Sequence, residues 1–178
     1  MSEAVSALRT AGASDVDELL RLETGHWVEV SKANRQARRM ADRHYSFFGK
    51  PMSHEVGPPG QKIILLTADG RALWGSHRPA PWAGIVRADG LEGHHCFIFR
   101  NEGYAQVRSS DLIREAVSLT LQRWGPGDFW TYVGAEHVAS ENPGYCFLVA
   151  GWRHDGWVES AKLGRLRRLK LVESEVLS

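Results

Sequence analysis

The chain has 178 residues, 43% hydrophobic and 24% charged, with a formal net charge of +1. That length suffices for one domain with a buried core, and the near-neutral total excludes bulk electrostatics as a reason to bind nucleic acid. Apolar runs such as Ile63-Ile64-Leu65-Leu66 are too short to span a bilayer, Met1 to Thr10 has no signal-peptide core, and the cysteines, Cys96 and Cys146, make neither a disulfide framework nor a four-cysteine zinc site, so a reducing cytoplasm is expected.

Ser14 reads as the N-cap of a helix near Asp15 to Thr24, with Val16, Leu19, Leu20 and Leu22 apolar. A second helix is predicted from Lys32 to His44. It carries Lys32, Arg35, Arg38, Arg39 and Arg43 against Asp42, with a narrow stripe of Ala33, Ala37, Met40 and Ala41 to bury. Phe47 to Gln61 is a loop containing Gly57-Pro58-Pro59-Gly60. Lys62 to Thr67 and Ala72 to Ser76 are strands joined by the hairpin signal Asp69-Gly70. Arg78 to Gly93 is a long connection, and His94 to Asn101 is a central strand. From Ser110 to Trp124, the set Leu112, Ile113, Ala116, Val117, Leu121 and Trp124 recurs at helical spacing until Gly125-Pro126-Gly127.

Phe129 to Val133 is the next strand. A short helix follows Asn142, with Asn142 as cap, Pro143 at the first helical position and Gly151 as a left-handed stop. Strands near Trp152 to Trp157 and Arg167 to Val172 close the chain. The order implies an α/β class with a mixed sheet covered on both faces, in a single domain over residues 1–178. The basic helix 32–44 and the basic strand 162–172 hold its concentrated positive charge. The tryptophans are scattered and read mostly as packing, with one or two free to stack on a flat ligand.

Several polar clusters carry chemistry. In His44-Tyr45-Ser46, the His can act as a base and the Tyr as a proton donor or metal ligand. The structural alternative is that Tyr45 packs in the core and His44 caps the helix C-terminus with its charge. Arg100-Asn101-Glu102 ends the central strand, where ligands gather in open α/β sheets. There Glu102 can take a proton from an amine, Asn101 orient it and Arg100 hold an anion, or the Arg and Glu simply pair. Arg108, Ser109 and Ser110 either hold an anion at a helix start or cap it. Asn142 and Tyr145 flank a further candidate position. His94-His95-Cys96 invites a metal, but alternation splits it across the strand and no second ligand pair completes it.

The element order and the run Cys146-Phe147-Leu148-Val149-Ala150-Gly151-Trp152 resemble the GNAT acyltransferases, which carry Leu-Tyr-Glu-Lys-x-Gly-Phe there. Phe147 then occupies the place of a Tyr that protonates the departing coenzyme A thiolate. Asn101 to Ser110 stands where such enzymes place Gln/Arg-x-x-Gly-x-Gly/Ala around a pyrophosphate, but has one glycine.

A larger set covers roughly residues 32–157: Ala41-Asp42-Arg43-His44-Tyr45-Ser46, Pro58-Pro59-Gly60, Leu65 to Trp74, Phe99-Arg100-Asn101-Glu102, Ser109-Ser110, Thr131-Tyr132-Val133 and Asn142 to Phe147. Together these resemble a GNAT-like phage and prophage family similar to the Mom DNA-modification protein of phage Mu. The resemblance implies a transferase in a bacterial host that alters the exocyclic amine of a base, adenine above all, so that phage DNA evades restriction. It implies double-stranded DNA as partner, a homodimer as candidate assembly, and an acyl-CoA-type donor or iron as candidate cofactors. His44, Tyr45, Ser46, Glu102 and Tyr145 would be catalytic, with His44 and Tyr45 the iron ligands. Arg100, Asn101, Arg108, Ser109, Ser110 and Asn142 would hold the cofactor, and Lys32, Arg35, Arg38, Arg39 and Arg43 the DNA. Two alternatives stand beside it: acyl-CoA-dependent N-acyl transfer to a small amine or protein, and a non-catalytic DNA-binding phage protein.

Overall fold

A computed structural model describes residues 25–47, 55–80, 84, 89–138 and 140–172. The helix expected near Asp15 to Thr24 lies outside these residues. A seven-stranded mixed sheet organises the rest, built from β1 (Trp27–Val30), β2 (Gln61–Thr67), β3 (Ala72–Arg78), β4 (His94–Asn101), β5 (Phe129–Val133), β6 (Arg153–Ser160) and β7 (Gly164–Leu171). Their spatial order is β1-β2-β3-β4-β5-β7-β6. Every neighbouring pair is antiparallel except β4 and β5. The helices are α1 (Arg35–Asp42), α2 (Ser109–Trp124) and α3 (Tyr145–Val149), and among the described residues none is long and apolar enough to cross a membrane.

Local chemistry sets the boundaries. The Asn34 side chain accepts from the Gln36 and Ala37 amides at 2.9 and 3.0 Å, so α1 starts at Arg35, three residues later than predicted. Its buried stripe is Ala37, Met40 and Ala41; Ala33 is exposed. The β2–β3 hairpin turns as expected at Asp69-Gly70, with Gly70 at φ 69° and Thr67 Oγ1 accepting from the Ala72 amide at 2.9 Å. Helix α3 departs from the sequence reading. Its cap is Gly144, at φ 80° and without a side-chain bond, and Pro143 lies ahead of the helix. Asn142 contributes only its backbone carbonyl, which accepts from the Tyr145 amide at 3.0 Å. The left-handed turn at Gly144 takes the place of an Asn cap. Gly151, at φ 99°, ends the helix as predicted.

Two cores lie on opposite faces of the sheet. Helices α2 and α3 cover one built around Trp27, Trp74, Leu112, Ile113, Phe129 and Trp152. Helix α1 covers a smaller one of Met40, Val56, Ile64, Leu73 and Ile98. Each fully buried large side chain contributes about 1.5–3 kcal/mol.

Strand β4 carries a bulge. Ser76 pairs with Cys96 but Gly75 with Ile98, which leaves Phe97 as the extra residue. Phe97 and Ile98 therefore both pack toward α1, while Cys96 and Phe99 pack toward α2. The Phe97 ring lies against Gly75, where an added Cβ would come within 2.4 Å of Cζ.

Candidate active site between parting strands

The site begins where pairing stops. Strands β4 and β5 pair only at His94↔Phe129 and His95↔Trp130 and then diverge. Parallel strands need a crossover, here α2, and ligands in α/β sheets collect at the C-terminal ends of such a junction. A cavity of about 130 Å³ fills the divergence. Phe97, Ile98 and Phe99 form its β4 wall; Thr131, Tyr132 and Val133 form its β5 wall. His44 and Tyr45 close one side, and Val138, Gly144, Cys146 and Phe147 the other. Such a volume suits one small group and not a whole drug-sized ligand.

Side chains take up backbone groups that an unbroken ladder would have used. Thr131 Oγ1 donates to the Cys96 carbonyl at 2.9 Å. The Tyr45 hydroxyl donates to the Tyr132 carbonyl at 3.3 Å and accepts from the Gly134 amide at 2.9 Å. Gly134 has to be small here, since a Cβ would lie 3.0 Å from both Tyr45 Cε2 and His137 Cδ2. Burial pushes the Tyr45 hydroxyl above its ordinary pKa, so it stays protonated. Its ring is stacked between His44, at 4.3 Å, and His137, at 5.4 Å and 14°.

His44 is bonded through one ring nitrogen. Its Nδ1 lies 2.7 Å from Ser46 Oγ and accepts from the Ser46 amide at 3.3 Å. An Nδ1 that accepts an amide hydrogen carries no proton, so this network assigns the ring N–H to Nε2 and makes the Ser46 hydroxyl a second donor. Burial, helped by the nearby Arg100 charge, lowers His44 to about 4. His44 is thus neutral at physiological pH and does not act as a charged helix cap.

At the end of β4, Glu102 has two guanidinium partners. Arg43 grips it through Nε and Nη2 at 2.9 and 2.6 Å, and Arg100 Nε lies 2.5 Å away. The Arg43 bonds foremost, with those of Arg100, hold its carboxyl down to about 2. So strongly paired a carboxylate is a poor proton acceptor, and its work is to fix two arginines beside His44. Arg100 Nη1 also donates to the Arg43 carbonyl at 2.9 Å, which ties β4 to the end of α1.

Other predicted residues fall elsewhere. Tyr145 is 60% exposed and lies outside the cavity. Phe147 lines the cavity from the core side, packed on Trp74, Phe99 and Trp152. Asn142 is exposed. The Asn101 side chain organises its own loop: Oδ1 accepts from the Gly103 and Tyr104 amides, and Nδ2 donates to Ser109 Oγ at 3.1 Å. Ser110 is buried, and Arg108 is exposed beside Asp111. Of the basic-helix residues, Lys32 pairs with Glu55 and Arg43 with Glu102; Arg38 is half-buried; Arg35 and Arg39 are exposed. His94 and Cys96 are buried on one side of β4, with His94 Nε2 on the Gly125 carbonyl at 3.0 Å, and His95 turns to the other face.

Neither implied cofactor fits these residues. Among the described residues no three His, Cys, Asp or Glu side chains converge on a metal position, and backbone groups saturate the Tyr45 hydroxyl. The donor set does not fit iron. The loop after β4 does not fit a pyrophosphate either, because Asn101 already occupies the Gly103 and Tyr104 amides.

Sequence reasoning missed His137, Thr131 and Cys146 as parts of the site. His137 lies in a single-turn helix at Ala135–His137 that no periodicity marks. Compared with known proteins, the chain matches no family model, no curated protein and no solved structure.

Proposed function

We propose that the chain is a GNAT-like transferase that modifies the exocyclic amine of a base in duplex DNA, adenine being the first candidate. The observation that carries this reading is the parting of β4 and β5, with His44 and Tyr45 among the residues that line the resulting cavity. The hydrogen-bonded pair Ser46–His44 supplies the proton path. As the amine nitrogen bonds to the transferred group, the bond between that group and its donor breaks and the donor fragment departs with the electron pair; the nitrogen becomes acidic, and Ser46 Oγ takes its proton and passes its own to Nδ1 of His44. A weak base suffices for so acidic a donor. The fixed charges of Arg43 and Arg100 stabilise negative charge that develops on the transferred group. The target base leaves the stack to reach the cavity, and the exposed Arg35 and Arg39 of α1 meet phosphates beside it.

The reading is tested by mass spectrometry of nucleosides from the DNA of cells expressing the protein. A modified nucleoside that disappears with His44→Ala is expected. An unmodified profile, from folded protein in a host that supplies the donor, would sink it. Acyl transfer from an acyl-CoA is the rival reading, which the engaged amides of the Asn101 loop disfavour; calorimetric titration with acetyl-CoA separates the two.

A further inference from the structure

The β5–β7 ladder ends at Val133↔Arg167, whereas β6 and β7 stay paired out to Ser160↔Gly164. Residues 157–166 therefore project past the sheet as a two-stranded ribbon. Its tip rests on the candidate site: Lys162 Nζ donates to the Ser46 carbonyl at 3.3 Å, and His137 Nε2 lies 3.1 Å from the Leu163 carbonyl. Its outer face presents Trp157, 44% exposed, with the Arg165 guanidinium 4.4 Å and the Arg167 guanidinium 5.9 Å from the ring centroid. Arg167 also donates to the carbonyl of Pro143, next to the cavity-lining Gly144. Glu159 is the acidic residue on this face, and among the described residues Arg165 makes no ion pair.

We propose that this projecting ribbon is a duplex-gripping element, in which Trp157 holds the Arg165 guanidinium against the DNA backbone beside the base that enters the site, while Arg167 fastens the ribbon to Pro143. Three properties fit one occupant. A two-stranded ribbon has the width that a major groove admits. The exposed Arg165 guanidinium, held over an aromatic face, keeps its N–H groups free for phosphate. The tip's contacts with Ser46, bonded to His44, and with His137, stacked on Tyr45, set the ribbon beside two cavity-lining residues. The choice of DNA rests on the proposed function; the ribbon geometry does not.

The test is binding of full-length protein to a fluorescent 30-base-pair duplex (about three helical turns) across a salt series. Arg165→Ala is expected to weaken binding about fivefold or more and to reduce the slope of log affinity against log salt by about 0.9, one phosphate contact. Trp157→Ala is expected to weaken binding, and Trp157→Phe to restore it. Both positions are exposed, and thermal melting verifies the fold. Variants that bind as the parent does would overturn the ribbon while leaving base modification standing. Self-association that Trp157→Ala abolishes, with DNA binding unchanged, would also overturn it, in favour of a second copy. Loss of nucleoside modification with duplex binding intact would instead be a failure of the catalytic reading alone.

Discussion

Strand β4 has two edges, and they behave differently. Toward β3 it pairs from Ala72↔Asn101 to His77↔His95, interrupted only by the bulge. Toward β5 it pairs at two positions and lets go. Buried peptide groups have to find partners, so the second edge recruits side chains: Thr131 for the Cys96 carbonyl, Tyr45 for the Tyr132 carbonyl and the Gly134 amide. The closed edge is stable because backbone meets backbone. The open edge is stable only while particular side chains stand in, and that dependence sets Tyr45, with His44 stacked on it, against the cavity.

The contrast can be broken by substitution, in descending order of effect. Phe147→Ala removes the ring that supports both the cavity wall and the α2-side core, and should cost about 3–5 kcal/mol in chemical denaturation. His44→Ala should leave the fold in place and lower the rate of base modification about 100-fold or more. Tyr45→Phe leaves the Gly134 amide and Tyr132 carbonyl without their hydroxyl partner; a loss of about 1–3 kcal/mol is expected, with faster hydrogen exchange at Gly134. Thr131→Val strips only the bond to the Cys96 carbonyl and should cost about 1 kcal/mol.

Acid sharpens the same contrast. The folded-state pKa of His44 is lowered to about 4 from 6.5. Activity that needs neutral His44 should hold from neutrality down to about pH 5 and fall through about pH 4. A rate profile that bends near 6.5 would show an accessible His44. The linked stability is fully present above the unfolded value of 6.5 and is lost as pH falls through about 4. Glu102 adds stability present above 4.5 and lost as pH falls toward its folded value of about 2.

Much of the sheet was legible from local pattern. Asp69-Gly70 announces the β2–β3 hairpin, and the predicted bounds of the strands at His94–Asn101 and Phe129–Val133 match the structure. Strand β1 escaped notice because four residues at an edge carry too little alternation. The ends of β6 and β7 escaped because their ladder outlasts β5, and only tertiary pairing sets that length. In the site, His44 and Arg100 were visible as motifs, and the pairing of Arg100 with Glu102 stood among the sequence readings, but the grip of Arg43 on Glu102 did not, since it joins residues 59 apart. Tyr145 looked available from its neighbours in sequence, yet the glycine turn at Gly144 directs it to solvent.

The extra residue in β4 acts as a change of phase. Before it, even-numbered Cys96 faces α2; after it, odd-numbered Phe99 does, and Arg100 shares the α1 side with its partner Leu73. Deleting Phe97 would restore strict alternation with Ile98, Phe99 and Arg100 still opposite Gly75, Trp74 and Leu73 and on their present faces. A frame-preserving loss of that single codon would thereby keep the guanidinium beside His44 and remove only the ring that packs on Gly75 and lines the cavity.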